Sequence, residues 1–176
     1  MDVRRIVTGL TPGGAAVVSD EPASPITAGL MPGGEFHALW GTDGPASLPL
    51  KEGLPAAKGW FPPPGGVRFA LVTLGPEGAG YPVDFDLGAA VAEVAEKLPG
   101  MLEVLELDHP GMHTTNTIDL VTMLSGEVWL ELDNGQETLV QTGDTVVQAG
   151  TRHAWHNRTD EPCTMAVAMI GVARSG

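Results

Sequence analysis

His113, Thr115, Thr117 and Asp119 occupy every second position of the segment MHTTNTIDLVTMLSG, and His153 follows in GDTVVQAGTRHAWHN. Alternate residues of an extended strand project from one face. The spacing therefore predicts that His113, Thr115 and Asp119 point together into whatever the strand lines, where a second strand can add His153. Two imidazoles and a carboxylate are the donor set of a non-haem iron or zinc site with open positions. The same residues support a second reading, a polar pocket without metal. Thr is a good strand former and a poor ligand, so Thr115 and Thr117 would bond to their neighbours, and His113 or His153 would act as general base with Asp119 orienting it.

The neighbours of these residues sort by position. Arg152, beside His153, could assist an anionic substrate or simply sit at a surface turn, and Trp155 shares the face of His153 and reads as pocket wall. His156 lies an odd number of residues from His153 and points to the opposite face. His109, four residues before His113, precedes a Pro110-Gly111 turn that argues against its joining the strand and stays a minor alternative ligand. His37 stands alone in EFHALWGTD and reads as a structural polar residue. Cys163, the only cysteine, sits in the apolar run CTMAVAMIGVA, where a small buried thiol is expected rather than a nucleophile.

The elements that must position these groups are short. Strands are expected near 115–124, 127–132, 137–141, 144–149, 153–157 and 163–172, separated by the turns Asp133-Asn134-Gly135, Gln141 to Asp144 and Thr159 to Pro162. Val128, Leu130 and Leu132 alternate with Trp129, Glu131 and Asp133, giving one apolar face. Earlier in the chain TPGG, MPGG, PPPGG and LGPEGAG punctuate strand-like VRRIVTGL, AAVVS, EFHALW and VRFALVTL. The proline-rich stretch from Ser47 to Pro64 reads as a long surface loop. In LGAAVAEVAEKL, Leu87, Val91, Val94, Ala95 and Leu98 recur at helical spacing behind an Asp86 cap and before Pro99-Gly100, with Glu93, Glu96 and Lys97 on the solvated side. This pattern is that of a closed or nearly closed antiparallel barrel carrying one helix.

Composition sets the limits. A chain of 176 residues buries roughly 70% of its unfolded surface and needs no disulfide or structural metal to fold. With 9 basic and 22 acidic residues, its net charge of -13 opposes phosphate backbones and leaves no basic stripe for nucleic acid. No apolar run reaches membrane-spanning length, and MDVRRIVTGL lacks a signal-peptide core. A cytoplasmic location and no membrane partner are the resulting expectations. Gly and Pro, 24 and 15 residues, are dispersed as turns rather than concentrated as in disordered tracts.

The segment from Gly111 to about Gly171 resembles the small-barrel cupin family. That family's first motif has two histidines one residue apart, an acid, then a glycine seven residues on. His113, Asp119 and Gly126 match it, and Thr115 stands where the second histidine belongs. The second motif runs from a glycine through an apolar strand and a Pro-x-Gly turn to a histidine and an asparagine. Gly143, Gly150, His153 and Asn157 match, with the turn one residue short and Ala149 in place of proline. The resemblance implies an all-β fold, the antiparallel double-stranded β-helix or jelly-roll barrel. It divides the chain into a leader, 1–105, of extra strands, long loop and one helix, which adds edge strands and a lid, and a barrel core, 106–176, within one compact domain. It implies a divalent transition metal (Fe, Mn or Zn) on His113, Asp119 and His153, a small organic substrate and oxygenase or lyase/dehydratase chemistry. The other possibility it leaves open is a metal-free member that binds, isomerises or cyclises a small molecule. A homodimer is expected because leader edge strands offer unpaired backbone groups to a partner sheet.

Overall fold

The computed structural model describes residues 2–49, 57–106 and 108–174. Ten strands and one α-helix follow in the order β1 (Arg4–Thr11), β2 (Gly14–Pro22), β3 (Glu35–Thr42), β4 (Val67–Leu74), α1 (Leu87–Lys97), β5 (Thr117–Ser125), β6 (Glu127–Leu132), β7 (Glu137–Gln141), β8 (Thr145–Ala149), β9 (His153–His156) and β10 (Cys163–Gly171). A five-stranded sheet, β3-β4-β10-β5-β8, faces a three-stranded sheet, β7-β6-β9. All pairings are antiparallel. This is the expected all-β jelly-roll barrel with extra amino-terminal strands and one helix.

Period-two patterning builds the interior. In β5, Thr117, Asp119, Val121 and Met123 are buried while Leu120 and Leu124 are exposed. Val128 and Leu130 of β6 and Met165, Val167 and Met169 of β10 face them in one apolar core. That core also takes in Phe36 of β3, Ala70 of β4 and Val94 of α1, so leader and barrel share it. β3 and β4 extend the barrel's own sheet, whereas β1 and β2 form a separate two-stranded sheet.

The turns use glycine where left-handed backbone requires it. Gly135 (φ 72°) closes the β6–β7 hairpin, with Asn134 Oδ1 accepting from the Gln136 amide. Gly126 (φ 73°) joins β5 to β6, and a Cβ there would stand 2.7 Å from Cys163 Cβ. Asn157 fastens the turn before β10, its amide donating to the carbonyls of Leu74 and Glu161 and its oxygen accepting from Thr159.

Two sequence expectations need correction. The helix is capped by Asp86 Oδ1, which accepts from the Ala89 amide, but its inward face is Ala90, Val94 and Leu98, while Leu87 and Val91 are exposed. Eleven residues of helix have only three turns to offer, and the single stripe at spacing four wins the core. Glu93 and Lys97 do more than meet solvent. Glu93 accepts from the Gly29 amide and pairs with Lys97, whose ammonium also donates to the Thr27 carbonyl, so together they strap the 27–29 segment to α1. The second correction concerns β5, which begins at Thr117. A bend at Asn116 interrupts the expected strand, held by the Val172 amide donating to the Asn116 carbonyl and Arg174 donating to its side chain. The expected Ser47–Pro64 loop is free of helix and strand at 47–49 and 57–64, and its residues 50–56 lie outside the described ones.

Candidate functional site

His113 and His153 form an antiparallel bridge of their own, each amide donating to the other's carbonyl at 2.9 and 3.0 Å. This pairing, absent from any regular strand at His113, sets the imidazoles side by side with ring centroids 4.2 Å apart. The rings are fixed by the same device. Nδ1 of His113 lies 2.9 Å from the Gly111 carbonyl, and Nδ1 of His153 lies 2.9 Å from the Thr151 carbonyl. A carbonyl oxygen only accepts, so each Nδ1 carries the proton and each Nε2 keeps its lone pair. The left-handed Gly111 and Gly150 turns bring those carbonyls into reach. Burial pushes the pKa of both histidines down, that of His153 to about 4 with the neighbouring His113 adding to the effect. Both are therefore neutral at pH 7, the state a metal ligand requires.

Thr115 and Thr117 are buried, and their hydroxyls bond to one another at 2.6 Å. Next along the same inward face, Asp119 is 8% exposed. One of its oxygens, Oδ1, is buried with no hydrogen-bond partner. Burial raises its pKa to about 6, against the opposing pull of the Thr117 hydroxyl. Gln148, opposite Asp119 in register, is also buried and turns its amide to Thr151. Trp155, half-buried, presents a ring perpendicular to His153 at 5.8 Å and forms a wall beside it.

The sequence predicted that His113, Asp119 and His153 converge; the structure sets the two histidines side by side and buries Asp119 on the inward face of β5. Among the described residues, the only three-donor group of His, Cys, Asp or Glu atoms within 4.8 Å of one another is Glu106, Asp108 and His109. In the chain, a bend at Asn116 lies between the bridge bearing His113 and the strand bearing Asp119, and regular alternation could not foresee it. The Glu106 group lies on the surface loop before the bridge, and its one partly buried member is already engaged. Arg152 makes a two-pronged pair with Glu106 at 2.7 and 2.6 Å. Arg152 is thus neutralised and anchors this loop rather than offering a free cation to an anion.

The remaining histidines and the cysteine fall outside the site. His156 points away from His153, as its spacing implied, and stands between Glu77 and Glu131, with Nε2 2.8 Å from the latter. His37 is buried on β3 with Nδ1 donating to the Ala23 carbonyl. His109 is exposed. Cys163 is fully buried, and its thiol pKa is raised by that burial. Two cavities, of about 340 and 450 Å³, are lined by residues of the leader strands, chiefly around Trp40 and Phe69, and neither is lined by His113 or His153.

A family model described as "Cupin domain" matches residues 103–169. Over 67 residues the chain is 40% identical to "Phomopsin biosynthesis cluster protein C'" of Diaporthe leptostromiformis, covering 35% of each chain. It is 31% identical over 62 residues to "Cupin-domain-containing oxidoreductase srdB" of Neurospora crassa, covering 35% of this chain and 32% of that one. The matched part spans about a third of the length of these curated relatives. Among solved structures, "a Cupin 2 conserved barrel domain protein" from Salinispora arenicola is similar at a TM-score of 0.43 and 15% identity, covering 82% of this chain and 81% of that one.

Proposed function

Residues 103–169 make this chain a member of the cupin superfamily, and we propose that it is a metal-dependent enzyme acting on a small organic molecule at the His113–His153 pair. The observation that supports this most is the matched tethering of the two rings. Both Nδ1 atoms donate to carbonyls two residues back, which leaves two neutral Nε2 donors side by side at the polar end of an otherwise apolar barrel. Fixing a ring through its other nitrogen is how proteins orient histidine ligands.

Two imidazoles suit a divalent transition metal such as iron, manganese or zinc. Such a metal would supply Lewis acidity, or redox capacity in the case of iron or manganese. In this reading His113 and His153 are the donors, and Thr115, at the position of the family's missing histidine, leaves room for substrate. Asp119 is the acid–base group. Its orphaned Oδ1 and a pKa near neutrality suit it to exchange a proton with a bound substrate. Trp155 walls the site, and the apolar core below excludes water. Oxidoreductase chemistry is favoured over lyase or dehydratase chemistry because a relative carries the description "oxidoreductase".

A second reading rests on Thr115. Its hydroxyl is committed to Thr117, and among the described residues no third His, Cys, Asp or Glu donor joins the two imidazoles within 4.8 Å. A metal-free pocket that binds, isomerises or cyclises its substrate through Asp119 fits this arrangement.

Elemental analysis of protein purified without chelators, from medium supplemented with iron, manganese and zinc, separates the two. The metal reading expects one divalent ion per chain, reduced to background in His113→Ala and His153→Ala and retained in Asp119→Asn. A wild type with no stoichiometric metal and no binding on titration refutes it in favour of the metal-free pocket.

A further inference from the structure

The cavities of about 340 and 450 Å³ share Arg5, Leu39, Trp40 and Phe69, so they adjoin as one cleft between β1 and the β3–β4 pair. Trp40 and Phe69 are register partners across those two strands and hold their rings on one face. Arg5 and Val7, at the covered positions of β1, line the cleft from the other side. The charge of the lining is opposite to that of the chain. Of the 9 basic residues, Arg4, Arg5, Lys58, Arg68 and Lys97 line the two cavities, and none of the 22 acidic residues is among the described residues that do. Three of these cations are already spent. Arg4 pairs with Asp20, Arg68 with Asp43 and the Gly59 and Thr42 carbonyls, and Lys97 with Glu93 and the Thr27 carbonyl. Arg5 is different. Its Nη2 donates to the exposed Glu21 at 3.2 Å, while its Nε is buried and has no hydrogen-bond partner. A buried N–H left unpaired is destabilising, and Arg5 borders a space with room for an acceptor.

We propose that this cleft binds a small organic anion, a planar apolar body carrying one carboxylate, at a site separate from the His113–His153 pair. The carboxylate accepts from Arg5 Nε in a charge-assisted hydrogen bond, and Lys58 on the exposed rim adds positive charge. The planar body lies along Trp40 and Phe69, with Leu39 and Trp60 behind. Such a ligand uses both halves of the cleft. An inorganic anion would leave the aromatic wall in water, and a neutral aromatic would leave Arg5 Nε without an acceptor. The volumes are those of a small-molecule site, and a mostly apolar lining with a few convergent polar groups is how such sites are built.

Trans-cinnamate is the probe, with cinnamamide as its uncharged counterpart and inorganic phosphate as an anion without a ring. In nitrogen–proton correlation spectra of the full chain, cinnamate should shift the indole N–H of Trp40 and leave those of Trp129 and Trp155 in place. Calorimetric titration should show cinnamate bound about tenfold or more tightly than cinnamamide and phosphate failing to displace it. Arg5→Met should remove that preference by weakening the acid alone, and its retained binding of the amide shows that the cleft is intact. The wild-type spectra decide the matter by themselves if the variant does not fold. Binding should be unchanged by chelator treatment, which separates this site from the proposed metal. No shift at Trp40 up to the solubility limit, a shift confined to Trp155, equal affinity for acid and amide, displacement by phosphate, or an undiminished preference in Arg5→Met would each overturn the proposal.

Discussion

Asp119 and His153 are desolvated in the same barrel, and their charges respond to burial with opposite signs. The pKa of Asp119 rises from 3.8 to about 6, and that of His153 falls from 6.5 to about 4. Between those values the folded state holds the Asp119 proton that the unfolded chain has released, so this group's contribution to stability falls as pH rises through the window. For His153 the unfolded chain binds the proton that the folded state refuses, so its contribution rises with pH over nearly the same window. At 1.36 kcal/mol per unit, each contributes about 2 kcal/mol between pH 4.5 and 7, and the two nearly cancel in the metal-free wild type. Substitution unmasks them. Relative to wild type, Asp119→Asn should gain about 2 kcal/mol of stability on going from pH 4.5 to 7, and His153→Gln should lose a similar amount over the same range. The assay is urea unfolding of chelator-treated protein at half-unit pH steps, read as the difference between variant and wild type so that surface carboxylates drop out. A difference for Asp119→Asn that stays flat within about 0.5 kcal/mol would refute the claim that this carboxyl is desolvated by the barrel.

Other substitutions probe packing and the donor set. Thr115→His should tighten binding of a divalent metal, measured by isothermal titration, because it adds a third imidazole where the family has one; unchanged affinity would place that position outside the coordination sphere. Gly126→Ala should lower stability by about 2 kcal/mol or more in thermal unfolding, since its Cβ would meet Cys163 Cβ at 2.7 Å on a left-handed backbone. Cys163→Ser should cost about 1–3 kcal/mol by burying a hydroxyl in an apolar site, while metal content per folded molecule stays at the wild-type level. Trp155→Ala should cost about 2–3 kcal/mol in urea unfolding, less than a fully buried indole, because the ring is only partly covered.

The barrel was legible in the chain because its signals are local. Alternation in Val128, Leu130 and Leu132, the Asn134-Gly135 turn and the Gly143 corner each fix their own few residues, and β6 and β7 fall where those patterns put them. His153 and Trp155 on one face with His156 on the other follow from the same period of two. What depended on partners distant in sequence was not legible. The inward face of α1 was decided by which helical stripe met the core containing Phe36 and Met101, and two stripes of similar apolarity cannot be ranked without that neighbour. Arg152 was spoken for by Glu106, 46 residues away. The site shows the division most clearly. Sequence determined that His113 and His153 are the histidines of interest and that Asp119 faces inward. The tertiary structure decided that the backbone bends at Asn116, between His113 and β5, where Val172 and Arg174 from the far end of the chain hydrogen-bond to it, and that His113 pairs with His153 through a bridge of its own. Periodicity is a property of unbroken backbone, and the bend is held by residues distant in sequence.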